Sequence, residues 1–160
     1  KPRFEHGLLA GESGGALRGR MLVQPLVERP DGRQVMLDEV LGKGFAVVEI
    51  DDGALPLAPS PGEFPLGARL LRVIPRDHRF VGPAEGSPEQ VRDATGTLEA
   101  FFRGAGVRGV VVRPDRYVAA AMARESKAEE AGRLLNELVR LSQAPGTPEA
   151  RAGRATLTVN

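Results

Sequence analysis

An apolar, β-branched run that meets Pro-Asp and then resumes constrains this chain most. Residues 110–120 read Val-Val-Val-Arg-Pro-Asp-Arg-Tyr-Val-Ala-Ala. Pro114 presets φ for the second position of a tight turn. The carboxylate of Asp115 can accept from backbone N–H groups two residues on. Apolar runs on both sides of such a turn predict a strand, a turn and an antiparallel strand across residues 109–121.

The rest of the chain supplies partners for that hairpin. Residues 1–19 are Gly-rich and aperiodic, which reads as a linker or extended arm. Residues 20–27 (RMLVQPLV) form a candidate strand that Pro25 confines to an edge or a strand end. Arg29-Pro30-Asp31-Gly32 is a turn. Asp38 is placed to cap a short helical turn at 39–41, and Gly42 and Gly44 then break the chain. Phe45 opens FAVVEI (45–50), a short, nearly all-apolar run that reads as a buried strand. Four prolines within 54–67 forbid a regular helix interior there, and RLLRVI (69–74) is another strand. Ser87, Pro88 and Gln90 carry the pattern of a helix start, with Val91, Ala94, Leu98 and Phe101 as its buried face and Gly104 and Gly106 as its stop. A last helix is predicted from Ser126, with Ala131, Leu134, Leu135, Leu138 and Leu141 as its stripe. Ion pairs Glu129–Arg133 and Arg133–Glu137 are expected on its wet side. Thr156–Val159 alternates and is a candidate edge strand. The predicted domain plan is an arm (1–19), one folded domain (20–143) and a tail (144–160).

The chain's 160 residues can bury a core. Its net charge of +1 provides no bulk field for nucleic acid or an anionic membrane. No apolar run reaches membrane-spanning length. Cysteine is absent, which excludes disulfides, thiol redox catalysis and thiolate metal sites. The first residue is Lys1, so the chain is expected to be a fragment of a longer protein.

The chemical motifs are weak. Residues 104–109 match G-x-G-x-x-G, but a helix is predicted before them and a strand after. That order is the reverse of what a dinucleotide site needs. Residues 11–15 match G-x-S-x-G around Ser13 without a preceding sheet to present the serine. His6 and His78 lack ligand spacing, and Asp51-Asp52-Gly53 reads as a turn rather than a metal site. Glu85, Glu89, Asp93 and Glu99 read as one solvated helix face. No catalytic, cofactor-binding or metal-ligating residue is assigned. Arg113, beside the hairpin turn, is predicted to clamp the hairpin to the core by pairing with a carboxylate on another element, such as Asp38, the alternative being a contact with a neighbouring domain or a second subunit.

Three ordered blocks carry a family resemblance: residues 20–25 (RMLVQP), 37–45 (LDEVLGKGF) and 112–118 (VRPDRYV). Together they resemble the C-terminal thioredoxin-like domain of FAD-dependent aromatic-ring hydroxylases of the 3-(3-hydroxyphenyl)propionate hydroxylase and phenol 2-monooxygenase type. The resemblance spans about residues 20–141 and rests on Leu37, Asp38, Glu39, Gly42, Gly44 and Phe45, and on Val112, Arg113, Pro114, Asp115, Tyr117 and Val118. It implies an α/β fold: a thioredoxin-like mixed sheet with flanking helices and no redox cysteines. It implies a non-catalytic packing or dimerisation domain of a cytoplasmic monooxygenase that hydroxylates a phenolic substrate. Asp38, Gly42, Phe45, Arg113, Pro114, Asp115 and Tyr117 are then structural or interface candidates. The N-terminal flavin domain of the same polypeptide is the expected partner, and a homodimer is a further one. FAD and NAD(P)H are expected for the parent enzyme and none for this fragment. The alternative is a free-standing cysteine-less thioredoxin- or peroxiredoxin-like binding module.

Overall fold

The computed structural model describes residues 17–53, 64–80, 82, 88–126 and 129–143. The readings on residues 1–16 (His6 and Ser13 included), 54–63, 83–87 and 144–160 therefore lie outside the described residues.

The FAVVEI run becomes the centre of the molecule. Strand β3 (Ala46–Ile50) is buried along its whole length, as expected of a strand covered on both faces. Among the described residues seven strands form one sheet, in the order β2-β1-β5-β4-β3-β6-β7. Here β1 is Leu26–Glu28, β2 Gln34–Met36, β4 Arg69–Ile74, β5 Glu89–Arg92, β6 Val107–Val112 and β7 Val118–Ala123. Strands β3, β4 and β5 run parallel to one another, β6 runs antiparallel to β3, and β7 antiparallel to β6. The hairpin β1–β2 joins the sheet's far edge through Glu28 opposite Arg92. Helices α1 (Leu37–Leu41) and α2 (Thr97–Ala105) cover one face, where Leu37, Val40, Leu98 and Phe102 pack on Val48, Leu71 and Val110. Helix α3 (Glu130–Gln143) covers the other, through Ala131, Leu134, Leu135 and Leu138 against Val47, Val111 and Ala120. The predicted mixed sheet with flanking helices is present, and the hairpin spans the predicted residues.

Four elements differ from expectation. The helix predicted from Ser87 does not form there: Glu89–Arg92 is strand β5 and the helix begins at Thr97. Four paired positions along β4 outweigh the local helix-start pattern. The start signal that operates is Asp93. Its buried carboxylate accepts the Glu99 N–H at 2.9 Å, while its own N–H donates to the Ile74 carbonyl. Consequently Glu89, Asp93 and Glu99 do not share a solvated face: Glu89 pairs with Arg29 from a strand, Asp93 is buried, and Glu99 pairs with Arg103 on α2. Residues 20–27 contribute only their last two to β1, with Met21 bridging Tyr117 at the opposite edge. Helix α1 starts at Leu37 with Met36 as N-cap, so Asp38 lies inside the first turn instead of capping it. Helix α3 starts at Glu130 rather than Ser126, and Arg133 pairs with Glu130 in place of the expected Glu129 and with the predicted Glu137.

Asp93→Ala is expected to destabilise the domain by about 1–2 kcal/mol, the usual loss for a helix start deprived of its side-chain acceptor. Asp93→Asn, which keeps an acceptor oxygen, should lose less. Urea denaturation midpoints compare the two.

Candidate functional site

The two most specific sequence blocks, separated by about 70 residues in the chain, meet in space. The β6–β7 turn is a three-residue loop, Pro114-Asp115-Arg116. The Arg116 N–H donates to the Arg113 carbonyl and the Arg113 N–H to the Tyr117 carbonyl, both at 2.9 Å. Arg116 itself sits at φ +71°, in the left-handed region that this loop type requires of its last residue. Asp115 folds back on the turn, pairing with the Arg113 guanidinium at 2.6 Å and accepting the Tyr117 N–H.

From this position Arg116 reaches α1. Its guanidinium donates to the Asp38 carboxylate and to the carbonyls of Asp38 and Gly42. Arg69 donates to the Val40 carbonyl at 2.7 Å. A five-residue helix leaves its last carbonyls without intrahelical partners, and these two arginines supply donors to them. Gly42, at φ +69°, lets the chain turn out of α1 toward β3. The clamp predicted for Asp38 thus exists, but with a different arginine: Arg113 pairs with Asp115, and Arg116 holds Asp38. The Asp38 side chain stays 57% exposed and that of Arg116 only 16%.

Asp38, Gly42, Arg113, Pro114, Asp115 and Tyr117 are therefore gathered around one turn. Phe45 is not among them: it is half-buried and packs against the core under α3. Arg116 was missed by sequence reasoning. The available signal was its position, second after the Arg-Pro of a turn between two strands, where a left-handed residue falls.

The other candidate chemistry does not assemble. Helix α2 ends at Ala105, Gly106 caps it, and β6 follows at Val107, so the G-x-G-x-x-G residues run from the end of a helix into a strand and present no helix N-terminus. They do not fit a dinucleotide, FAD included. Asp51 accepts the Gly53 N–H and Asp52 pairs with Arg124. Among the described residues no three His, Asp or Glu side chains are grouped to hold a metal ion. His78 is exposed, in a small open cleft with Asp52, Arg103 and Arg124. No helix among the described residues is long and apolar enough to cross a membrane.

Comparison with known proteins agrees with this picture. The family model described as the HcaD C-terminal domain matches residues 19–139. A 3-(3-hydroxy-phenyl)propionate/3-hydroxycinnamic acid hydroxylase of Mycolicibacterium gilvum (strain PYR-GCK) is 31% identical over 170 residues, with 99% of this chain and 30% of the relative covered. The chain thus spans less than a third of that relative's length. Among solved structures, peroxidoxin BcpB from Mycobacterium tuberculosis superposes with a TM-score of 0.54 at 19% identity, covering 78% of this chain and 97% of that one. The flavin-dependent monooxygenase PieE, solved with FAD and substrate, gives 0.56 at 19% identity, covering 90% of this chain and 25% of that one. At these identities the likeness is one of fold, and the fold is thioredoxin-like. With its folded core inside the matched family model, the chain belongs to the HcaD C-terminal domain family.

Proposed function

We propose that this chain is the accessory C-terminal domain of a longer FAD-dependent aromatic hydroxylase, serving packing and subunit contacts rather than chemistry. One observation carries the reading: nearly all of this chain aligns with less than a third of a hydroxylase polypeptide. On this reading the flavin, its reduction by NAD(P)H and the hydroxylation of a phenolic ring belong to the portion outside these residues. The whole protein would work in the cytoplasm. Asp38, Gly42, Arg113, Pro114, Asp115 and Tyr117 would hold the hairpin to the core and shape a contact surface.

The native protein from its source tests this by intact mass and visible spectrum. A yellow polypeptide roughly three times as long as this chain is the expected result. The 160-residue chain titrated with FAD should leave the flavin fluorescence unquenched at micromolar concentrations, and a flavin retained on it would contradict the proposal. A second reading, a free-standing cysteine-less binding module, is favoured by the peroxidoxin, in which the same fold makes up 97% of a separate chain. A colourless native protein of this length selects that reading instead.

A further inference from the structure

Residues 17–22 enter the domain along the outer edge of β7. The Gly19 N–H donates to the Val118 carbonyl, the Val118 N–H to Arg20 and the Leu22 N–H to Arg116, each at 2.8 Å. Leu17 and Leu22 are buried in the core, so this segment is part of the fold and its position is fixed. Successive residues of an extended segment point to opposite sides. Met21, between those anchors, is accordingly turned outward beside Tyr117 and is 44% exposed, more than any other large apolar side chain described. The neighbouring turn exposes Pro114 and Asp115. Arg116 brings α1 alongside, adding the exposed Asp38 and, just after Gly42, the exposed Lys43.

We infer that this rim, with Met21 at its centre and Asp38, Lys43, Pro114 and Asp115 around it, is the surface on which the flavin-binding portion of the longer polypeptide seats. The inference rests on reading the chain as a C-terminal accessory domain. On that reading the preceding portion joins the described domain at Leu17, through the chain that runs before it. The connecting chain enters at this rim, so a contact made here closes the shortest loop of chain and loses the least entropy. An apolar centre with charged neighbours is the usual composition of a domain contact. The partner face should offer an apolar pocket to Met21 and basic side chains to Asp38 and Asp115. The rival surface is the cross-strand pair Leu26 and Met36, also exposed, on the sheet's opposite edge. It lies six strand spacings, about 29 Å, from the point of entry.

Hydrogen exchange on the full-length polypeptide, wild type against Met21→Glu, tests the assignment. The expected result is exchange at least about tenfold faster in the variant at residues 42–44 and 115–117, with the amides of β3 unchanged. Met21→Gln, a milder polar change at the same exposed side chain that leaves the turn's own hydrogen bonds in place, should give the same pattern and serves if Met21→Glu does not fold. Variants that exchange like wild type at these positions, or that accelerate at Gln34–Met36 instead, overturn the docking surface while leaving the accessory-domain reading intact. A native protein that holds no flavin-binding portion overturns both.

Discussion

Truncating Phe102 to Ala is expected to lower the unfolding free energy by about 3–5 kcal/mol, a large fraction of a small domain's stability. Phe102 is 1% exposed and one of the largest fully buried side chains in the molecule. It projects from α2 one turn after Leu98, and together they fix that helix to the sheet face formed by Val48, Leu71 and Val110. Neighbouring backbone cannot collapse far into the void, because β3 beneath it is paired on both sides. Phe101 is the internal control. Its ring lies 6.0 Å from that of Phe102 but is only half-buried, so Phe101→Ala should lose about 1 kcal/mol. Guanidinium denaturation with an unchanged m-value measures both. Equal losses at the two positions would mean that α2 is seated on the sheet by a different face.

The same helix shows what was legible in the sequence and what was not. Strands β3 and β4, the hairpin β6–β7 and the stripe of α3 each state their pattern locally, and each forms where the pattern places it, except that the last stripe residue, Leu141, is exposed. Residues 87–92 carry an equally explicit local pattern, Ser-Pro-x-Gln before Val91, and it loses to pairing with β4. Val91 is buried as an inward strand residue and not as part of a helix face. The edge position beside β4 is a long-range property that no window of the sequence contains. The real helix start is harder still to read. Its acceptor, Asp93, precedes the N-cap Gly96 by three residues and reaches Glu99 across a loop. The candidate site follows the same rule. Its residues were named because they fall in two distinctive blocks, but the contact that joins the blocks depends on the backbone of one loop residue.

That residue, Arg116, gives the second prediction. Arg116→Ala should destabilise the domain by about 2–3 kcal/mol, because donors to the Gly42 and Asp38 carbonyls and to the Asp38 carboxylate disappear together. Arg116→Gly should lose less, by about 1 kcal/mol, although it removes the same side chain. Glycine adopts φ +71° without steric penalty, whereas Arg and Ala both bear a cost of about 1 kcal/mol there. Asp38→Ala should lose under about 1 kcal/mol, since its carboxylate is more than half exposed and the carbonyl contacts survive. The expected order of loss, Ala above Gly above the Asp38 variant, separates backbone strain from side-chain bonding at one position. Equal stabilities for Arg116→Ala and Arg116→Gly would show that the loop bears no strain at this residue. An Asp38 variant as damaging as Arg116→Ala would place the bonding in the ion pair rather than in the carbonyls at the end of α1. The strained arginine then has a physical account: it occupies a position that suits glycine because only a long, forked donor can tie the hairpin turn to the helix beneath it.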